Sequence, residues 1–183
     1  KVFVDLKFFD VPETVRSAVR QLKPYGATFT TVHGNDAILR AAVEAAQECG
    51  DLGILAVTAL TSLDQADLND LGFACDPKTL VLSRARRALD IGCRGVISSG
   101  LEAAGLRERL GDKLLIITPG IRPVLNRPTD DQKRTMDVED AFLNGADHIV
   151  VGRPIRQAPD PHAAAAAIQT RIAHLFAVAA PTA

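Results

Sequence analysis

A chain of 183 residues with 47% hydrophobic and 23% charged residues, 13 Gly and 10 Pro has the make-up of one ordinary globular domain, and a disordered or collagen-like chain is excluded. Twenty-one Lys and Arg against 22 Asp and Glu leave a net charge of −1, so there is no overall positive field for nucleic acid or an anionic bilayer, and an anionic ligand has to be held locally. No apolar run nears the roughly 18–20 residues that cross a bilayer, and the opening Lys1-Val2-Phe3-Val4-Asp5 lacks a signal peptide's layout, so the expected location is cytoplasmic.

In chain order, short β-branched apolar runs predict strands at 2–5, 28–33, 53–58, 95–98, 114–118 and 148–151. Helical spacing predicts helices at 13–22, 36–48, 78–89, 101–110, 138–144 and 163–176. Pro12, Pro77 and Pro161 stand near their first turns, and Gly26, Gly50, Gly92, Gly111 and Gly145 follow their ends. This alternation is the pattern of parallel βαβ units in one α/β domain over 1–176, with a disordered tail expected at 177–183.

Polar or reactive residues follow almost every strand: Asp5 and Lys7, His33, Thr58, Ser98 and Ser99, Thr118, Gly152 and Arg153. A TIM (β/α)8 barrel gathers such residues from many strand ends, whereas a doubly wound sheet concentrates them at one switch point, and no G-x-G-x-x-G follows the first strand. Six strands are two short of a barrel, and the chain opens on the first of them with no turn or helix before it. The expected fold is therefore a barrel lacking its first two βα units, with Lys1 internal to a longer protein. Cys49, Cys75 and Cys93 are odd in number and widely spaced, and His33, His148, His162 and His174 lack metal-ligand spacing, so idle thiols and no protein-borne metal site are expected.

Two segments carry chemistry. In Asp5-Leu6-Lys7-Phe8-Phe9-Asp10-Val11-Pro12-Glu13-Thr14, a side-chain period of two places Asp5 and Lys7 on one side of a strand end, and Asp10 follows where the chain leaves the strand. A carboxylate held close to an anionic substrate group raises that group's energy before reaction. Taken alone, the same pattern fits a surface charge cluster. Thr118-Pro119-Gly120-Ile121-Arg122-Pro123 and Val150-Val151-Gly152-Arg153-Pro154-Ile155 occupy the places of the last two strand–loop units, where barrels commonly hold phosphate. Gly152 would let the backbone approach a phosphate and Arg153 offers a bidentate fork, while a solvated loop and an ordinary Arg153 ion pair account for the pattern equally well.

Together with Val57-Thr58-Ala59-Leu60-Thr61-Ser62 and Asp131-Gln132-Lys133-Arg134, these runs closely resemble orotidine 5′-phosphate decarboxylases of the bacterial type, in the family's order, from residue 1 to about 176. The resemblance implies cofactor-free and metal-free decarboxylation of orotidine 5′-monophosphate (OMP) to UMP in pyrimidine biosynthesis. It implies that Asp5, Lys7 and Asp10 match three members of a Lys-Asp-Lys-Asp array, with Lys7 protonating C6 of the pyrimidine and Asp5 against the substrate carboxylate. It further implies a homodimer in which Asp10 and Thr14 reach the neighbouring site. Thr61 then contacts the pyrimidine, Arg122 and Gln132 contact ligand around the closing loop, and Gly152 with Arg153 grip the phosphate. The family's ribose-binding aspartate and first lysine belong to strands not among these six, and the loop at 124–129 departs from the shorter or more acidic stretches common there.

Two other readings compete with this one. A Mg²⁺-dependent sugar-phosphate decarboxylase shares D-x-K-x-x-D but needs further carboxylates at strand ends, where Gly34-Asn35-Asp36 and Thr58-Ala59-Leu60-Thr61 supply none well placed. A non-catalytic phosphate-binding remnant would follow from the missing strands.

Overall fold

The computed structural model describes residues 1–122 and 135–179. Six strands, β1 (Val2–Phe8), β2 (Ala27–Val32), β3 (Gly53–Val57), β4 (Gly95–Ile97), β5 (Leu115–Thr118) and β6 (His148–Ile149), form one parallel sheet in sequential order. Among the described residues the helices are α1 (Pro12–Arg20), α2 (Asp36–Gln47), α3 (Gln65–Asp70), α4 (Pro77–Ile91), α5 (Gly100–Leu110), α6 (Val138–Leu143), α7 (Arg153–Arg156) and α8 (Pro161–Ala179), with a 3-10 turn at Lys23–Tyr25.

A strand order that never reverses is that of a barrel wall rather than a doubly wound sheet. Right-handed crossovers in such a sheet put the connecting helices on one face, and the core divides accordingly. Ile54, Ala56, Val96 and Ile116 pack with Val15, Val19, Leu39, Val81 and Leu106 of the helices. Their strand neighbours Leu55, Val57, Ile97 and Ile117 pack on the other face with Phe3, Phe29, Leu115 and Val150. Burial of both faces is why these strands read as continuous apolar runs. At Gly95 a Cβ would stand 2.6 Å from the Leu115 carbonyl oxygen, so glycine is what lets β4 and β5 approach there.

Side-chain caps start several of the helices. Asn35 accepts from the Ile38 N–H, Asp76 from the Thr79 N–H and Ser99 from the Leu101 N–H, and α1 instead begins on Pro12. Two short helices were outside the sequence expectation. In α3 the Asp64 and Asp67 side chains bond each other's backbone N–H in a capping box, and Leu68 is its buried anchor. The other, α7, is a single turn after Gly152. Strand β1 runs to Phe8 instead of ending at 5, β6 is shorter than 148–151, and α8 extends to Ala179 through part of the segment expected as a tail. The cysteines are free, and burial pushes the Cys93 thiol up to about 12, which keeps it inert at neutral pH.

Arg107 of α5 fastens the backbone where β5 and β6 begin, at the end of the sheet away from the residues that follow these strands. It donates to the carbonyls of Gly111 at 2.8 Å and Gly145 at 2.8 Å and pairs with Asp147 at 2.7 Å, whose carboxylate also accepts from the Ile116 N–H. Charge-assisted bonds of this kind are worth about 1.5–3 kcal/mol. Arg107→Ala is expected to lower unfolding stability by about 2–3 kcal/mol in urea titration, whereas a change under about 0.5 kcal/mol would show that the cluster fastens nothing.

Candidate active site

The site starts from an irregularity in β1. Val4 pairs with Thr30 and Phe8 with Val32, so Asp5, Leu6 and Lys7 together face the single residue Thr31 on β2. Such a surplus is a bulge, which bends a strand and re-aims its side chains. Lys7 takes a φ of 49°, a left-handed conformation that costs a non-glycine residue about 1 kcal/mol or more. Leu6 is turned outward and 65% exposed.

Thr31 is fully buried. Its Oγ1 accepts from the Lys7 N–H at 2.8 Å and its hydroxyl donates to Asp5 Oδ1 at 2.8 Å. Lys7 Nζ meets the other Asp5 oxygen, Oδ2, at 2.8 Å. Asp5 and Lys7 do meet, but through a bulge rather than the regular pleat that the spacing suggested.

This ion pair forms one wall of a cavity of about 280 Å³, near the lower end of the usual range for small-molecule sites. Val57, Ile97 and Val150 give it an apolar lining continuous with the inner face of the sheet, and Thr61 and Ser62 enter from the loop after β3. Pro119, Gly120 and Arg122 follow β5, and Gly152 with Arg153 follow β6. Arg122 is buried, its guanidinium donates to the Ile121 carbonyl at 2.9 Å, and its N–H donates to the Met136 carbonyl at 2.9 Å. A Cβ on Gly152 would meet nothing within 4 Å, so the backbone there is open to an incoming group. Among the described lining residues, Lys7, Arg122 and Arg153 set three positive charges against the single carboxylate of Asp5. A nearly neutral chain thus concentrates positive charge where an anion could be held.

The structure therefore brings Asp5, Lys7, Thr61, Arg122, Gly152 and Arg153 to one cavity. Asp10 and Thr14 are not part of its lining. Asp10 accepts from the Val11 N–H at 2.6 Å, and both residues are exposed at the start of α1. Gln132 and the loop at 124–129 lie outside the described residues. Thr31 and Ser62 were missed as site residues, because a threonine inside a β-branched run reads only as strand propensity.

A second cavity, of about 360 Å³, lies beside the first and is lined by Phe9, His33, Asn35, Phe73, Arg84 and Arg87 among others. His33 packs edge-on to Phe9 at 5.1 Å, and its Nδ1 is buried with no hydrogen-bond partner among the described residues. Arg84 lies over the Phe73 ring and donates to the Thr58 carbonyl at 2.6 Å.

The sequence model of the family described as "Orotidine 5'-phosphate decarboxylase / HUMPS family" matches residues 1–168. The chain belongs to this family. Among its relatives, an orotidine 5′-phosphate decarboxylase of Methylococcus capsulatus is 64% identical over 97% of the chain and 72% of its own length. One of Nitrobacter winogradskyi is 47% identical over 92% of the chain and 69% of its own length. The crystal structure of orotidine 5′-phosphate decarboxylase from Lactobacillus acidophilus, at 38% identity, superposes with a TM-score of 0.79 over 93% of this chain and 74% of that one. That from Pyrococcus horikoshii, at 30% identity, gives a TM-score of 0.67.

In this member of the decarboxylase / HUMPS family, burial first and the Arg84 charge second hold the His33 imidazole below its ordinary pKa. The unfolded chain then takes up a proton near its ordinary value of about 6.5, and the folded chain only at lower pH. The neutral-histidine contribution is complete above that value and is lost as pH falls through the window just below it. Urea midpoints at pH 7.5 and 5.5 are expected to fall less on acidification in His33→Gln than in the parent protein; equal falls would contradict this.

Proposed function

We propose that the protein decarboxylates orotidine 5′-monophosphate to UMP and CO₂ without a cofactor, as a carboxy-lyase of pyrimidine biosynthesis. The observation that carries this reading is a single cavity with the Asp5–Lys7 ion pair after β1 and Gly152 with Arg153 after β6, joined by an apolar lining. The relatives, which are orotidine 5′-phosphate decarboxylases by name, agree with it.

In this reading the nucleotide phosphate lies against the Gly152 backbone and the Arg153 guanidinium, Thr61 contacts the pyrimidine, Arg122 contacts ligand from the β5 side, and Gln132 is a further ligand contact. Asp5 crowds the C6 carboxylate. The bond from C6 to that carboxylate breaks, CO₂ departs, and the electron pair left on C6 is stabilised by the Lys7 ammonium and then takes its proton. Solvent returns a proton to the Lys7 amine. Binding energy from phosphate and ribose positions the base for this step.

The reading also includes a cytoplasmic homodimer in which Asp10 and Thr14 serve the neighbouring subunit's site. Their exposure beyond the cavity agrees with that, as does the exposed apolar side chain of Phe9 beside them. Two further βα units joining β6 to β1 would complete a (β/α)8 barrel, and they are where the ribose-binding aspartate and the first lysine of the array would lie. The Mg²⁺-dependent alternative is not favoured, because Asp5 is the one carboxylate among the described lining residues and an enediolate-stabilising Mg²⁺ site needs more oxygen ligands.

In the protein as its organism makes it, Lys7→Ala is expected to lower kcat for OMP by at least about 1,000-fold while UMP still binds; retained turnover would remove Lys7 from the mechanism. Arg153→Ala is expected to weaken UMP by about 1.5–3 kcal/mol, roughly 10- to 150-fold, in calorimetry, and an unchanged affinity would put the phosphate elsewhere. Turnover is expected to survive EDTA, and its loss would favour the Mg²⁺-dependent reading.

A further inference from the structure

We infer that Thr31 is the positioning residue of the reactive pair, its one hydroxyl fixing both the Asp5 carboxylate and the Lys7 backbone. The catalytic consequence rests on the decarboxylase reading; the geometry stands apart from it. Opposite the bulge, three residues of β1 face Thr31 alone, so the regular ladder is interrupted there. The Thr31 side chain supplies what the ladder does not. Oγ1 takes the Lys7 N–H and in turn donates to Asp5 Oδ1, while Asp5 Oδ2 holds Lys7 Nζ, each contact 2.8 Å. The contacts close a ring that runs from the threonine oxygen through the carboxylate and the ammonium to the lysine backbone.

Two features make Thr31 the fixed member of that ring. It is fully buried and paired with Leu55 of β3 in regular register, whereas Asp5 and Lys7 are both solvent-exposed. A β-branched side chain is also stiff at χ1, so its hydroxyl has little freedom to follow a moving partner. Thr31 therefore aims the carboxylate and holds Lys7 at its left-handed φ, although it does not line the cavity. A misplacement of about 1 Å at a reacting group can cost as much as 100-fold in rate.

The test compares Thr31→Val, which keeps the shape and removes the hydroxyl, with Thr31→Ser, which keeps the hydroxyl. In Thr31→Val, kcat for OMP is expected to fall about 10- to 100-fold with UMP affinity within about twofold, and Thr31→Ser is expected to recover to within about fivefold of the parent. Lys7 amide hydrogen exchange, read by NMR, is expected to be at least about tenfold faster in Thr31→Val, with the amides of β3 unchanged. Thr31→Ala carries the same test if the valine variant does not fold. The inference is overturned if kcat stays within about twofold, if kcat and UMP affinity fall together, or if serine fails as badly as valine. Should the parent protein not turn over OMP at all, the decarboxylase reading fails on its own, and Lys7 exchange still decides the positioning role: unchanged exchange refutes it.

Discussion

The rest of the site depends on how β1 is seated against β2. The strand pairs at Val4, departs from register, and pairs again at Phe8, and the surplus backbone carries Asp5 and Lys7 to the mouth of the sheet. Parallel pairing on both sides of the bulge fixes where it occurs. Thr31 accounts for the polar groups displaced from the ladder, and buried polar groups without such partners are costly. A left-handed lysine is tolerated there because its surroundings over-determine it, which is the usual condition for strain at a functional site.

The opposite side of the cavity is built differently, with side chains offered by loops that the sheet and its helices hold. The Arg107–Asp147 cluster ties α5 to the backbone around β5 and to the turn before β6. Pairing of Ile121 with Met136, and the bond from the Arg122 N–H to the Met136 carbonyl, hold Arg122 in place after β5. The ion pair on one strand end and the arginines after the last two strands share a cavity with Val57, Ile97 and Val150 in its lining. The ion pair and the arginines reach one rim because the strands follow in sequential order, each adding its own loop there.

Much of this was legible in the sequence because two signals were strong. Strands buried on both faces, such as Gly53–Val57 and Leu115–Thr118, appear as uninterrupted apolar runs, and prolines and glycines punctuated the helices between them. Asp5, Lys7, Gly152 and Arg153 were legible as residues just beyond such runs, whereas Thr61 and the ligand contact of Arg122 came from the family resemblance. Less was visible where structure depends on long-range partners. The six-residue α3 and the four-residue α7 are too short to show a period, and the first rests on an Asp64–Asp67 capping box with aspartate where glutamate or glutamine is usual. Nothing local in Asp5-Leu6-Lys7 announces a bulge, because it is defined by register against β2, and Thr31 acquires its place only from that register. Asp10 and Thr14 carry the same motif as Asp5 and Lys7 but sit past the strand, where the chain turns into α1 and away from the cavity.

In the proposed reading, the Asp5–Lys7 pair and the Gly152–Arg153 turn face the two ends of one nucleotide. A crystal structure of the protein, as its organism makes it, with a 6-substituted UMP tests this most directly. The phosphate is expected on the Gly152 backbone and Arg153, and Lys7 Nζ within about 3 Å of the C6 substituent with Asp5 beside it. A pyrimidine bound away from Lys7, or a phosphate held elsewhere than at Arg153, would contradict it.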